Sequence, residues 1–275
     1  MLSIAVAAGL LIGVLLGALG GGGSILTVPV LVYLLHQEPH AATAGSLLIV
    51  GITAAAGVIA HRRAGRVRLA PGIIFGVLGV AGSYAGTRLS SSVPPDLLLS
   101  LFAGLMLAAA AAMLRRRGTA GRREPAAGSP PVSVQASGRQ PAWRPGGSTV
   151  LRRVLKIIAA ATGVGLLTGF FGVGGGFVIV PALVLVLGFD MPAAVGTSLL
   201  VIAINSAAAL AARLGGHLSL DWPLLAVFTA AALAGVLAGN RVASRIDASR
   251  LTIAFTVLLI AVAAYSLARS LPGLM

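Results

Sequence analysis

A glycine-rich pattern occurs twice in this chain, and the repetition constrains the fold more than any other feature of the sequence. The pattern is a run of glycines, an apolar stretch and a proline, at Gly20–Pro29 and again at Gly172–Pro181, 152 residues later. Pairing positions 20–60 with 172–212 needs no gap and gives 17 identical residues in 41. Duplication of one unit explains this agreement better than chance, so the chain is predicted to consist of two similar halves.

The composition indicates a membrane protein. Hydrophobic residues make up 57% of the chain and charged residues 9%, and the mean hydropathy is +1.01. The net charge of +14 does not indicate a nucleic-acid partner, because the basic residues lie between apolar stretches, as the positive-inside rule expects. With no cysteine, the chain has no disulfide and no thiolate site. The apolar N-terminus has no basic n-region, so residues 2–19 are predicted to be a retained first span rather than a cleaved signal peptide.

Apolar runs of about 20 residues can cross a bilayer as helices, and helix is the expected conformation because lipid offers the backbone no hydrogen-bond partners. We therefore predict an all-α, polytopic membrane protein of two repeats. Its eight long spans are expected near 2–19, 41–60, 70–88, 97–114, 154–171, 193–212, 222–240 and 251–268. A shorter apolar segment follows each glycine run, at 24–35 and 176–188.

Residues 115–153 differ in character from both halves. They are rich in Arg, Pro, Gly and Ser, which is typical of a disordered segment. We predict a first membrane repeat at 1–114, a disordered basic linker at 115–153 that its positive charge holds in the cytoplasm, and a second membrane repeat at 154–275. The arginines of the linker are also compatible with binding acidic lipid headgroups.

The distribution of basic residues favours inverted halves. If the short segments cross the membrane, each half has an odd number of crossings, and the arginine-rich loops 61–69 and 241–250 face the cytoplasm together with the linker. The loops 89–96 and 213–221, which carry few basic residues, then face outside. If the short segments are re-entrant, the halves are parallel and the loop 241–250 lies outside. The positive-inside rule therefore favours the inverted arrangement.

A glycine run inside an apolar region should interrupt the helix, since each glycine costs about 1 kcal/mol relative to alanine. At membrane depth the freed backbone groups are tolerated only where protein or a water-filled cavity surrounds them. A helix that restarts at Ser24 or Phe177 would direct unpaired N–H groups and its positive dipole end into that cavity, which would suit an anion. The alternative is that the glycines only allow close helix packing. The candidate substrate-binding residues here are Gly22, Gly23, Ser24, Gly174, Gly175, Gly176 and Phe177.

Small and hydroxyl-bearing residues begin the helix after each short segment. Ser46 in the first half, and Thr197 and Ser198 in the second, could donate hydrogen bonds to an oxyanion. Equally, they could bond a neighbouring helix or their own backbone. Asn205, deep in a span, either lines a cavity or joins two helices, and Thr53 is its counterpart in the first half.

Other polar residues do not indicate catalysis. The six acids fall in loops or at the edges of spans, and the four histidines are scattered. His36, Glu38 and His40 make at most a weak candidate for a metal site. Arg88 and Arg241, at the ends of spans, could bind an oxyanion but more commonly anchor a helix at the interface. We predict neither an enzyme nor a resident cofactor or metal.

Several of these motifs are similar to those of the TauE/SafE sulfite-exporter family. They are the doubled glycine break, Ala-Ala-Val-Gly-Thr-Ser-Leu at 193–199, the stretch Gly216–Trp222, and Ala-Gly-x-Arg at 85–88 and 238–241. The first half departs from the pattern, with Ala44–Ser46 reading Ala-Gly-Ser where Gly-Thr-Ser is usual. The resemblance covers both halves and leaves only the linker outside. It implies a multi-pass permease of the cytoplasmic membrane, associated with export or uptake of sulfite, sulfonates and related organic anions.

We therefore predict a permease of the bacterial inner membrane that moves a small anion, such as sulfite or an organosulfonate, by alternating access. A membrane scaffold or assembly factor and a gated anion channel stay open as alternatives. The expected partners are the anionic substrate and the lipid bilayer, and a homo-oligomer is compatible with the sequence. Energy coupling also stays open, because no buried acid is evident as a proton carrier.

Overall fold

The computed structural model describes residues 2–90, 95–120, 147–171, 176–211 and 221–274. In this part of the chain it forms ten α-helices and no strand. They are α1 (Leu2–Leu19), α2 (Gly22–Pro29), α3 (Pro39–Arg63), α4 (Leu69–Ser90), α5 (Pro95–Ala120), α6 (Gly147–Phe171), α7 (Gly176–Leu185), α8 (Met191–Ala211), α9 (Trp222–Arg245) and α10 (Ala248–Leu274).

Six of the helices are long and apolar enough to cross a membrane. These candidate spans are Leu2–Leu19, Ala41–Arg63, Leu69–Gly86, Met191–Ala211, Trp222–Arg245 and Ala248–Tyr265. The all-helical class is therefore confirmed for the described residues, and the six candidate spans agree with a polytopic membrane protein. Helices α5 and α6 cover two further predicted spans, and the parts of them whose side chains the structure describes continuously, Leu101–Arg115 and Ile157–Thr168, are apolar. The arrangement of eight spans in two repeats thus stays a prediction.

Helices α5 and α6 also extend into the predicted linker. Residues 115–120 continue α5 and residues 147–153 begin α6, so these ends of the linker are helical rather than irregular. Residues 121–146, which make up the rest of the predicted linker, lie outside the described residues.

The first glycine run breaks the chain between α1 and α2. Helix α1 ends at Leu19, and Gly20 then adopts a φ of 69°, a left-handed conformation that favours glycine. The amide of Gly20 still donates to the carbonyl of Leu16, at 2.8 Å. The next helix begins at Gly22 rather than at Ser24, so the interruption is confined to Gly20–Gly21, named here the glycine turn. The second run, Gly172–Gly175, lies outside the described residues.

A proline changes the helical geometry at the end of α2. Pro29 has no N–H to donate, which removes one hydrogen bond of the helix. The chain continues as a π-helical turn over Val30–Leu34, closed by a hydrogen bond of 3.1 Å from the Leu35 amide to the Val30 carbonyl. Wide turns of this kind inside helices are frequent at functional sites.

Helix α2 returns alongside α1. A Cβ placed on Gly23 would lie 2.6 Å from the Ile12 carbonyl oxygen and 2.7 Å from the Leu16 amide nitrogen. Further along, Leu31 and Leu35 join the same buried cluster as Ala5 near the start of α1. Helices α1 and α2 therefore form a hairpin with the glycine turn at its tip.

Glycines also bring the long helices together. On α1, Gly9 lies against Phe228 of α9, Gly13 against Ala232 and Gly17 against Val236. On α4, Gly82 lies against Thr162 of α6 and Gly86 against Leu166. In both pairs the residue numbers rise together, so the two helices run parallel. Small residues at a spacing of four allow this close approach of backbones, as is common between helices in membranes.

Helices α3 and α8 cross in the opposite sense. A Cβ on Gly51 of α3 would lie 3.2 Å from the Ser206 side chain of α8, and a Cβ on Gly57 would lie 2.9 Å from that of Leu199. The numbers now run in opposite directions, so α3 and α8 are antiparallel. Helix α8 of this pair lies against the glycine turn at Gly20.

Candidate functional site

The two short helices touch each other at their first turns. A Cβ placed on Gly21, the N-cap of α2, would fall on the backbone of Gly176, the first described residue of α7. A Cβ on Gly176 would lie 2.7 Å from the Gly21 carbonyl oxygen and would also meet the Ser24 hydroxyl. We call this contact of Gly21, Ser24 and Gly176 the crossing point. It depends on glycine because any side chain at position 21 or 176 would separate the two backbones.

The crossing point brings together the first turns of two helices, where backbone N–H groups carry a partial positive charge. The first N–H groups of an α-helix have no carbonyl partner within the helix, and Gly21 supplies no side chain to cap them. The hydroxyl of Ser24 instead donates to the Gly21 carbonyl, at 2.7 Å. Ser24 is buried, so the partial positive charge of these amides acts in a low-dielectric setting. Such an end of a helix favours a negative ligand.

Helix α8 covers the glycine turn from the other side. A Cβ on Gly20 would meet the Ser198 hydroxyl and would lie 3.1 Å from the Val195 carbonyl oxygen. Ser198 is fully buried, and its hydroxyl donates to the Val195 carbonyl at 2.8 Å. Its neighbour Thr197 accepts a hydrogen bond from the Arg68 amide, at 3.1 Å. The sequence left open where the hydroxyl of Ser198 would bond, and in this conformation it bonds its own helix.

The equivalent serine of the first half behaves in the same way. Ser46 is buried in α3, and its hydroxyl donates to the Thr43 carbonyl at 2.8 Å. Gly45 beside it lies against Leu225 of α9, with a Cβ at 2.8 Å. Thr53, further along α3, donates to the Ile49 carbonyl at 2.6 Å. These hydroxyls would have to rotate before they could bind a ligand.

Asn205 differs from the serines because part of its side chain has no partner. Its Oδ1 is buried and makes no hydrogen bond with the described residues. It faces α4, where a Cβ on Gly79 would lie 3.6 Å from both the amide nitrogen and the oxygen of Asn205. A buried amide oxygen without a partner is unfavourable unless water or a ligand reaches it. Among the described side chains that were predicted to bind substrate, Asn205 is therefore the one with a buried polar atom that makes no hydrogen bond.

The remaining predicted residues divide into three groups. Gly22 and Gly23 do not contact Gly176 in the way Gly21 does, since Gly22 lies against Leu258 of α10 and Gly23 against α1. Phe177 continues the first turn of α7, and its side chain lies outside the described residues. Gly174 and Gly175 also lie outside them.

Two residues of the site were missed as candidates from the sequence, Gly20 and Gly21. Both belong to the predicted run, but the prediction started the site at Gly22. The left-handed φ of Gly20 and the close approach of Gly21 to α7 are what the local sequence could not reveal. The one available signal was their place at the start of the run, where a helix would have to end.

Comparison with known proteins places the chain among membrane transporters. A family model described as Sulfite exporter TauE/SafE matches residues 5–266. A probable membrane transporter protein of Xylella fastidiosa strain 9a5c is 34% identical over 272 residues, which cover 98% of this chain and 96% of that protein. The probable membrane transporter protein YdhB of Bacillus subtilis is 30% identical over 192 residues, 70% of each chain. No solved structure matches the chain.

Proposed function

The chain belongs to the sulfite exporter TauE/SafE family of multi-pass membrane transporters, and we propose that it moves a small anion, such as sulfite or an organosulfonate, by alternating access. The proposal places it in the inner membrane of a bacterium. The observation that carries the proposal is the crossing point, where the backbones of Gly21 and Gly176 meet at the first turns of two short helices. Backbone amides there can hold an anion without a cationic side chain.

Two duplicated repeats are part of the proposal, and matching local geometry supports them. Residues 152 positions apart make the same hydrogen bonds at the ends of the short helices. The amide of Gln37 donates to the Leu31 carbonyl, as Phe189 does to Leu183, and the amide of Ala42 donates to the Glu38 carbonyl, as Ala194 does to Asp190. The hydroxyl of Ser46 donates to the Thr43 carbonyl, as that of Ser198 does to Val195. His36 and its counterpart Gly188 both have a positive φ, of 53° and 71°. For His36 this is an uncommon conformation, so its recurrence favours a common origin of the two units.

The helix directions support an inverted relation between the repeats. Helices α3 and α8 occupy equivalent places in the two halves and run antiparallel. A pseudo-twofold axis along the membrane normal would make them parallel, whereas an axis in the membrane plane reverses one of them. The packing of the helices agrees with this relation. Helix α1 packs on α9, and their counterparts in the other halves, α6 and α4, pack on each other. Inversion also puts the arginine-rich loops on the side of the linker.

Alternating access would use the contacts between the two repeats. The parallel pairs of α1 with α9 and of α4 with α6 approach closely at glycines. Small residues at such interfaces let the backbones approach, and we propose that the helix pairs shift against each other along them. The crossing point lies between the repeats, so a rocking motion would expose it to one side and then to the other.

Side chains would complete the binding of the anion. We propose that amides around Gly22, Gly23, Ser24, Gly174, Gly175, Gly176 and Phe177 hold it. Hydroxyls of Ser46, Thr197 and Ser198 would rotate away from their present bonds to add donors. The Asn205 amide would contribute through its nitrogen, which can donate to an oxyanion while Oδ1 binds water.

Flux into liposomes tests this function. The purified chain should carry sulfite, thiosulfate, an alkyl sulfonate or a small carboxylate with a rate that saturates as the anion concentration rises. Conductance without saturation would instead identify a channel. Stable co-purification with a partner protein, with no flux of any anion in the panel, would identify a scaffold.

A further inference from the structure

His61 is the one titratable side chain that is buried among the residues the structure describes. It lies at the end of α3 and is only 1% exposed. Its Nε2 is 3.0 Å from the carbonyl oxygen of Gly17 on α1. Its Nδ1 is buried as well and has no hydrogen-bond partner among the described residues. One ring nitrogen therefore joins two helices while the other keeps a free lone pair or proton.

The Gly17 carbonyl that His61 contacts has no backbone amide partner within its own helix. Gly17 lies in the last turn of α1, where carbonyl oxygens have no amide within the helix. Three residues later the chain enters the glycine turn at Gly20. A neutral imidazole that donates from Nε2 to Gly17 therefore ends α1 in the place of a backbone amide. This contact fixes the position of the hairpin tip relative to α3.

His61 also contacts the helix that covers the glycine turn. A Cβ on Gly196 of α8 would lie 3.3 Å from the His61 Cβ and 2.7 Å from the Arg66 carbonyl oxygen. Residues on either side of Gly196, Val195 and Ser198, are those that pack on Gly20. His61 thus touches both elements that enclose the glycine turn, α1 and α8.

We propose that His61 is the proton-binding site of this transporter, and that a proton on its Nδ1 is bound together with the anion. The inference rests on the proposed transport of an anion. The proton comes from water and adds to the free lone pair of Nδ1, which leaves an imidazolium with two N–H donors. A buried cation is unfavourable on its own. An anion at the nearby crossing point offsets that charge, so each ligand raises the affinity for the other.

Few other charges act on this histidine. Neither α1 nor α8 carries a titratable residue within its described length. Arg66, half-buried in the loop after α3, exerts a repulsive field on a charged imidazole. Arg62 and Arg63 on α3, Arg68 in the loop, and Arg241 and Arg245 at the end of α9 are exposed to solvent. Asp190, the residue before α8, carries a negative charge but is exposed to solvent as well. An anion at the crossing point would act from inside the protein, where charges are screened less, and would therefore favour protonation of His61.

The test measures proton uptake by the full chain. Isethionate, a sulfonate that does not titrate near neutral pH, is added to lightly buffered protein at pH 6 to 7, with a protein-free blank. Sulfite itself titrates near neutral pH, so it is added only to test binding and flux. The wild type should take up about one proton for each bound anion, by linkage.

His61→Gln keeps a donor for the Gly17 carbonyl but cannot titrate, so it should bind the anion without proton uptake. Its flux should also no longer respond to an imposed proton gradient. His36→Gln, in an exposed loop, is the matched control and should behave as the wild type.

Three results separate the possible failures. Anion binding by the wild type without proton uptake, or full uptake by His61→Gln, would overturn the role of His61 and leave anion transport standing. A wild type that neither binds nor moves either anion would overturn the transport function, and this inference with it. If His61→Gln does not fold, the variant with His36, His40 and His217 all changed to Gln isolates His61. That variant must retain the whole proton uptake, and its loss there would reject the proposal.

Discussion

Gly21 and Gly176 lie with their backbones in contact, at a point where neither position has room for a side chain. The two residues come from different halves of the chain, and each belongs to the first turn of a short helix. Their contact is therefore the place where the two glycine-rich runs act on each other. The rest of the proposed site is arranged around it, with Ser24 on one side and α8 on the other.

Gly21→Ala should inactivate transport. The added Cβ would fall on the Gly176 backbone, so α2 and α7 would have to separate and the amides of the crossing point would lose their arrangement. We expect a loss of saturable anion flux in liposomes of about tenfold or more. Gly104→Ala in α5 is the matched control, because nothing lies within 4 Å of a Cβ there. Equal flux in the two variants, at equal amounts of folded protein, would remove the crossing point from the mechanism.

The packing of α1 on α9 makes a prediction about stability rather than transport. A Cβ on Gly13 would lie 2.8 Å from the Ala232 Cα and would collide with its carbonyl, so Gly13→Ala should destabilise the protein by about 1–3 kcal/mol. Gly163→Ala in α6 has nothing within 4 Å of its Cβ, and better helix propensity should make it up to about 1 kcal/mol more stable. Unfolding in detergent by increasing SDS, followed by far-ultraviolet circular dichroism, compares the two. A Gly13→Ala midpoint at or above that of Gly163→Ala would contradict the described contact.

The sequence predicted the elements of this fold better than their contacts. Repetition, apolar length and breakers locate the helices, because these are local properties of the chain. They could not decide which glycine meets which neighbour. Gly22 was predicted to bind substrate, yet it lies against Leu258 of α10, whereas Gly21 one residue earlier meets Gly176. A change of one residue turns a helical position by about 100° around the axis, so local pattern alone does not settle which face a glycine occupies.

His61 shows the same limit for a polar residue. In the sequence it flanks a span beside Arg62 and Arg63, a setting that is typical of an exposed loop. His61 is buried because α1 packs beside α3, which brings the Gly17 carbonyl oxygen to the imidazole ring. This depends on residues 44 positions apart, and no local signal contains it.

Asn205→Ala should weaken substrate binding without lowering stability. The buried Oδ1 of Asn205 makes no hydrogen bond among the described residues, so truncation forfeits none through that atom. If the side chain serves the anion, the KM for flux should rise by about tenfold, which corresponds to 1.4 kcal/mol. Thr229→Val in α9 is the control. Like Asn205→Ala, it removes a buried polar atom that has no partner among the described residues, in this case a hydroxyl. It should gain about 1 kcal/mol in stability and keep the wild-type KM. An unchanged KM in Asn205→Ala would exclude this residue from the binding site.

The inverted arrangement predicts which loops face the same side of the membrane. Glu38 and Asp190 are equivalent residues, 152 positions apart, and both are exposed before the start of a long helix, α3 or α8. Inverted repeats put them on opposite sides, whereas parallel repeats put them on the same side. Because α8 begins beside the loop that contains Gly65, residue 190 should share its side with residue 65, and the arginines of that loop place both in the cytoplasm.

The natural chain has no cysteine, so single cysteines can report these positions without any background substitution. Gly65→Cys and Asp190→Cys should react with a membrane-impermeant maleimide only in inside-out vesicles, and Glu38→Cys only in intact cells. Gly65 is a suitable reference because nothing lies within 4 Å of a Cβ there, although its φ of 70° adds a small strain. Labelling of Glu38→Cys and Asp190→Cys from one and the same side would reject the inversion. It would then favour two parallel repeats with re-entrant short helices.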